Sequence, residues 1–334
     1  MSSLEGENRE RCIDAVRHLD RRGFPARALR EAPAQTQNDA TVGESRTAEV
    51  DRLQRTLIQA QNINGGWGYN GNSWWTEPTA LAILALHASG CKGTPYDRGC
   101  GWLAAAQRKD GGWSPHLTVH ESTWVTSLAF LALAGSSVRF NEKAAIEWLK
   151  RSVNQTLPAF EQFIFRALQL NSPKMAGSAP WFPGTAGWVI PTSLTLLSLS
   201  RAARAANDPE LVNTMTASRS YLLARRCVDG GWNHGGSSYR SENARSYPES
   251  TGLALLALGG VSTTQLTPAL QLAESFLGCA ESAEGLAWLQ MGLTKQGRAP
   301  TLDSGQFPCR TIRETSLRLL ALTADSPRNC LMAA

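Results

Sequence analysis

The chain has 334 residues, 42% of them hydrophobic, with 11 Trp and a formal net charge of +5. That content builds a sizeable core. The Lys and Arg are scattered with no basic run, which argues against nucleic acid as a partner. The seven Cys are odd in number and never spaced Cys-x-x-Cys, so they read as reduced thiols of a cytoplasmic protein, not as a disulfide frame.

Residues 1–46 form the first region. Residues 1–20 are charged and carry no apolar stretch, so no secretion signal is expected. Residues 6–21 suit a short helix, and 23–46, with Pro25 and Pro33, suit a flexible leader. No apolar run is long enough to span a bilayer, which leaves peripheral membrane contact as the only membrane role. From 47 to 325 a helical period dominates and no strand-like alternation competes with it, so this stretch reads as one all-α domain. Residues 326–334 read as a tail.

Three turns punctuate that domain. They are Leu57-x-x-x-Gln61-x-x-x-Gly65-Gly66-Trp67, Trp102-Leu103-x-x-x-Gln107-x-x-x-Gly111-Gly112-Trp113 and Tyr221-Leu222-x-x-x-Arg226-x-x-x-Gly230-Gly231-Trp232. The glycines permit φ > 0 and a sharp turn. Each Trp would cover a hairpin end, and Gln61 and Gln107 would bond the open carbonyls at the end of the preceding helix. A fixed motif at repeated positions predicts a repeat architecture.

Five segments open with Thr, a small residue and Leu, starting at Thr79, Thr126, Thr192, Thr251 and Thr315. They are apolar nearly all round, which predicts inner helices buried on most sides. Pro78 and Pro191 suit a first helical turn. Segments 51–61 and 209–226 carry one apolar stripe and a polar face, which predicts outer helices. Glu161…Leu170 and Glu284…Leu293 stand 31 residues before Thr192 and Thr315, a sign of duplication. The inner helices near 190 and 311 lack an obvious outer partner, and the N-terminal helix is a candidate for one of them.

The aromatic-Leu-x-x-x-Gln-x-x-x-Gly-x-Trp pattern resembles the QW repeat of squalene-hopene and oxidosqualene cyclases. Related repeats occur in the β subunits of protein prenyltransferases. The resemblance covers about residues 47–324. It implies an α/α toroid whose inner helices surround an apolar cavity, which in those families holds an isoprenoid chain.

The chemistry of those families has no direct match. Squalene-type cyclases protonate an alkene with the middle carboxyl of Asp-x-Asp-Asp, and this chain has no such motif. Asp110 and Asp229 belong to the turns, and Asp303 is a lone loop acid. Prenyltransferases hold zinc with Asp, Cys and His, but the matching stretch Tyr247-Pro248-Glu249-Ser250-Thr251 lacks the His. His116, His120 and Glu121 have a ligand-like spacing, yet Pro115 marks a loop. No metal or other cofactor is expected. His234 follows Trp232 and reads first as a surface histidine, with a place on the same rim as the alternative.

Carboxylates occupy the inner-helix starts instead. Acids there stabilise helix ends, and an acid desolvated beside an aromatic ring also gains the raised pKa that a proton donor needs. Glu249 and Glu77 are the candidate catalytic acids. Trp74, Trp75, Trp124, Tyr247, Glu121 and Glu314 are the candidate ligand contacts, since aromatic faces stabilise cations. The expected function is an atypical terpenoid cyclase, or cyclase-like protein, with an isoprenoid or other apolar small-molecule ligand. Two alternatives stand beside it: a non-catalytic binding or scaffold protein, and a prenyltransferase β-like subunit with a partner chain but without the usual zinc ligands.

Overall fold

A computed structural model describes residues 38–69, 73–153, 176–204, 208–235, 244–279, 281–300 and 307–333. Among the described residues the regular elements are all helices, joined by turns and loops, with one isolated bridge between Pro180 and Gly187. The chain divides into two compact units, Met1–Arg46 and Thr47–Ala334. The helices are α1 (Asn38–Gln59), α2 (Thr76–Ala88), α3 (Thr94–Ala105), α4 (Val125–Leu133), α5 (Glu142–Val153) and α6 (Val189–Ala203). They continue with α7 (Pro209–Ala224), α8 (Pro248–Ala257), α9 (Thr263–Leu277), α10 (Ala283–Lys295), α11 (Ile312–Leu322) and α12 (Cys330–Ala333). Helix α1 begins at Asn38, inside the stretch that composition alone assigns to a flexible leader.

The apolar segments close a ring in the second unit. Helix α2 packs on α4, α4 on α6, α6 on α8, α8 on α10, α10 on α11, and α11 returns to α2. All five Thr-led segments are in it, and their leucines are almost wholly buried. The sixth member, α10, carries the Glu284…Leu293 block; its counterpart at 161–170 lies outside the described residues. Two glycines let α8 and α10 touch. A Cβ on Gly292 would fall 2.2 Å from the Gly252 carbonyl oxygen, and one on Gly252 would fall 2.3 Å from the Trp288 carbonyl carbon.

Outer helices cover the ring. Helix α3 lies against α2 and α4, α5 against α4 and α6, α7 against α6, and α9 against α8 and α10. The Thr47–Gln59 part of α1 serves α11 and α2. Arg318 Nε of α11 donates to Glu49 Oε1 at 2.7 Å, and Gln54 Nε2 donates to the Ser89 carbonyl at 3.2 Å. This supplies the outer partner that the inner helix near 311 lacked.

The turns bind outer and inner helices together. Gly65, Gly111 and Gly230 have φ of 96°, 93° and 97°. The indole N–H of each Trp reaches back to the outer helix, from Trp67 to Leu57 O (2.8 Å), Trp113 to Leu103 O (2.7 Å) and Trp232 to Leu222 O (2.7 Å). The backbone N–H of each Trp donates to the next inner-helix Thr, at Thr79, Thr126 and Thr251, over 2.8–3.1 Å. That latch gives Thr79, Thr126 and Thr251 their role; Thr315 instead donates to the Thr311 carbonyl of its own helix start. The Gln side chains act differently from expectation. Gln61 donates to Gly65 O and Pro95 O, and Gln107 to Gly111 O and Asn141 O. They therefore join the turn to the start of the next outer helix, while the Trp satisfies the preceding one. Arg226 makes the equivalent reach to Gln265 O.

A fourth turn escaped the motif. The Ala179 N–H donates to Thr192 Oγ1 at 2.8 Å, as Trp does elsewhere, and Gly177 has φ of 83°. Gly177-Ser178-Ala179 thus stands where the others have Gly-Gly-Trp.

Candidate functional site

The first turns of the ring helices meet at one end, here called the mouth. Their amide dipoles favour negative charge there. Glu77 of α2, Glu249 of α8 and Glu284 of α10 gather at this end with Arg313 of α11 and Tyr69 of the first turn loop. Arg313 Nε donates to Glu77 Oε1 at 2.7 Å, and its Nη1 donates to Glu284 Oε2. The Tyr69 hydroxyl donates to the other oxygen of Glu77. A Cβ on Gly285 would lie 3.9 Å from Glu249 Oε2, so the Glu249 carboxyl rests against the first turn of α10. Among the described residues, no donor pairs with it.

Burial governs the electrostatics. It pushes the Glu284 carboxyl above its ordinary range; Arg313 opposes the shift, and the charges of Glu249 and Glu77 add to it. Burial also raises the Tyr69 phenol, with Glu77 adding to the effect, so Tyr69 stays a neutral donor. Burial works against the charge on Arg313, but Glu77 and Glu284 outweigh it and hold Arg313 protonated. Two of the three carboxyls, Glu77 and Glu284, therefore share one guanidinium, and Glu284 also feels the charge of Glu249.

Aromatic rings border the carboxyls. Tyr69 meets Trp75 edge-on with centroids 5.5 Å apart, and His116 lies 4.7 Å from Trp75. Trp124 meets Trp181 edge-on at 4.8 Å, and His234 lies 4.9 Å from Tyr247. Backbone bonds lace the bordering loops together: Thr76 N–H to Pro115 O (3.0 Å), Trp124 N–H to Trp181 O (3.3 Å) and Val189 N–H to His234 O (3.1 Å).

The structure brings Glu77, Glu249, Trp75, Trp124 and Tyr247 to this end. Trp74 sits beside Gly66 and Trp75, with its indole nitrogen buried and unpartnered. Two predicted contacts lie elsewhere in role. Glu121 is exposed. Glu314 closes a capping box, accepting from the Thr311 N–H at 3.0 Å and the Arg310 N–H at 2.7 Å. Asp110 and Asp229 hold their turns, bonding Ser122 and Ser246. His116 Nδ1 lies 2.8 Å from Thr118 Oγ1, and the His120 carbonyl accepts from Arg108. Among the described residues, no group of three His, Cys, Asp or Glu could hold a metal. Asp303 lies outside the described residues.

Register accounts for what was missed. Glu77, Trp124, Ile190, Glu249 and Arg313 each stand two residues before their Thr. Glu314 stands one residue before, and a single residue turns a side chain by 100° on a helix. Arg313 is therefore the mouth residue of α11. Glu284 needed α10 to be recognised as a ring helix.

No protein-family profile matches the chain. A 77-residue stretch, 22% of the chain, is 39% identical to drimenyl diphosphate synthase of Streptantibioticus cattleyicolor, and it takes in only 14% of that protein's length. Among solved structures, the type II terpene cyclase MstE from Scytonema aligns over 86% of this chain and 81% of its own, with TM-score 0.50 and 14% identity. A variant of MstE in complex with geranylgeranyl dihydroxybenzoate aligns over 86% and 80%, with TM-score 0.51 and 15% identity. The chain has the fold of the type II terpene cyclases. Within this terpenoid cyclase-like α/α toroid, the mouth cluster lies where the first turns of the inner helices converge. Among the described residues, no helix is long and apolar enough to cross a membrane.

Proposed function

We propose that this protein binds an isoprenoid at the mouth of its helical ring and acts as an atypical terpenoid cyclase whose proton comes from the Glu249–Glu284 carboxyl pair. One observation carries the reading: in a terpene-cyclase fold, burial, with the charges of Glu249 and Glu77 adding to it, makes the Glu284 carboxyl costly to ionise. Glu284 therefore keeps a proton beside Glu249 where an isolated acid would lose it. Glu249 is the donor in this account because no described hydrogen-bond donor competes for its oxygens. Arg313 and Tyr69 hold Glu77 and Glu284 in place as acceptors.

The step balances without a cofactor. The carboxyl proton adds to an alkene carbon of the isoprenoid, the carbocation at the neighbouring carbon is attacked by a second alkene, and loss of a proton from the cyclised cation restores the acid. The net change is isomerisation. Trp75, Trp124 and Tyr247 would face the cation with their π systems, and the apolar hub would take the hydrocarbon chain. The substrate class supported by this chemistry is a linear polyprenyl compound, in keeping with the isoprenoid-type ligand of the MstE complex.

A second reading, ligand binding without turnover, is favoured by Arg313, which already neutralises two of the three carboxyls. The two part on one experiment. Native mass spectrometry of protein from its own host tests for a retained isoprenoid, and incubation with neutral C15 and C20 polyprenols followed by gas chromatography tests for product. Turnover that vanishes in Glu249→Gln, with binding retained, supports the cyclase. Binding with no product in the wild type supports the second reading, and neither binding nor product removes both.

A further inference from the structure

The opposite end of the ring carries a cluster that the mouth chemistry does not use. There the last turns of the inner helices meet the C-terminal segment. Ser326 Oγ donates to Ala88 O at 2.7 Å, and Lys295 Nζ donates to Met332 O at 2.7 Å. A Cβ on Gly135, just past α4, would lie 3.1 Å from Cys330 Sγ and 3.4 Å from His87 Nε2. His87, at the end of α2, is thus wedged among three elements and stacks on Tyr96 of α3, with centroids 5.7 Å apart.

Cations surround that imidazole. The Arg328 guanidinium lies over Gly90, 2.8 Å from where its Cβ would be. Arg201 of α6 reaches across to the Ala134 carbonyl at 3.1 Å, one residue from Gly135. Lys92 follows two residues after Gly90. Burial, then the charges of Lys92, Arg328 and Arg201, push His87 below its ordinary range, and no described carboxylate acts on it. The same two cations, Arg201 and Lys92, act on buried Cys330, again with no described acid opposing them. His87 Nδ1 is shut away from solvent without a hydrogen-bond partner.

Part of this charge answers the negative ends of the ring helices. Arg201 gives one of its five donors to a helix-end carbonyl. The rest has no such use: among the described residues, neither Lys92 nor Arg328 makes a side-chain hydrogen bond. Three like charges gathered on one imidazole repel one another, and a multiply charged oxyanion relieves that repulsion while accepting several of their N–H donors at once. We propose that Lys92, Arg201 and Arg328, grouped around His87, form a site for a phosphate-type oxyanion at the base of the ring. The ligand is either free phosphate or diphosphate, or the headgroup of an anionic lipid. The site is independent of the mouth.

The test uses the full chain. Inorganic phosphate and diphosphate are titrated at constant ionic strength by calorimetry, while the ring signals of His87 are followed by NMR. Vesicles of phosphatidylcholine with and without phosphatidylglycerol are used in a parallel sedimentation assay. Expected are saturable binding with movement of the His87 signals, and weakening of about fivefold in Lys92→Gln and in Arg328→Gln, the scale of one exposed charge contact. Both side chains are exposed, so the variants should fold, and circular dichroism checks this. Saturation by the soluble anions assigns a small-molecule site. A His87 response and sedimentation only with phosphatidylglycerol assign a headgroup site. A His87 shift equally produced by chloride, binding unchanged in both variants, or no response in either arm would overturn the proposal and leave the cations as helix-end partners alone.

Discussion

The turns and the mouth are built on opposite plans. At the turns one solution recurs: Trp67, Trp113 and Trp232 are each wholly buried, each bonded to the outer helix through the indole and to an inner-helix Thr through the backbone. At the mouth no one residue recurs throughout. The same register, two residues before the Thr, holds Glu, Trp, Ile, Glu and Arg in turn. Repetition marks the parts that close a ring, where every unit faces the same packing problem. Departure from repetition marks the part where the helices supply differing chemical groups.

The comparison can be broken first at the scaffold. Gly292→Ala places a methyl group 2.2 Å from the Gly252 carbonyl oxygen. It should force α8 and α10 apart and cost more than about 4 kcal/mol, among the largest single-site effects; denaturant unfolding measures it, and a loss under 1 kcal/mol would mean the two helices do not meet as described. Trp113→Ala should cost about 3–5 kcal/mol. The same change at the partly exposed rim residue Trp75 should cost about 1 kcal/mol or less, and equal losses at the two positions would erase the distinction between turn and mouth. Thr126→Val removes the latch that accepts the Trp113 N–H and should cost about 1–2 kcal/mol. Glu249→Gln, by contrast, should change stability by less than about 0.5 kcal/mol, as thermal unfolding can show.

The smallest effect concerns pH. The folded chain holds the Glu284 proton above the ordinary carboxyl value of 4.5, chiefly through burial. Just above that value the folded state keeps a proton that the unfolded state has lost. Stability should therefore fall as pH rises through the window from 4.5 to the folded value. In Glu284→Gln that part of the slope should disappear, which a series of melting temperatures against pH would reveal; an unchanged slope would show that Glu284 does not titrate there.

The ring was legible because its constraints repeat. A Thr-led apolar segment and a Gly-Gly-Trp turn each state the same physical need several times, so single departures such as Arg226 do not hide it. The fourth turn was not legible, because Ala179 keeps the backbone bond to Thr192 but lacks the indole that announces the others. The mouth was legible only in part. Glu77 and Glu249 fall in a visible column, whereas choosing between Arg313 and Glu314 depends on helix rotation by one residue. The paired role of Glu284 depends on α10 standing in the ring, which its neighbours decide and its own pattern does not. The basal cations are spread over Lys92, Arg201 and Arg328, too far apart in sequence for any local pattern to unite them.

The central claim is that a mouth carboxyl delivers a proton to an alkene. Turnover of a neutral polyprenol in deuterium oxide tests it most directly, with the product read by mass spectrometry. The account predicts a cyclised isomer carrying one solvent-derived deuterium, formed by the wild type and not by Glu249→Gln. A cyclic product with no deuterium, or equal product from the variant, would contradict it.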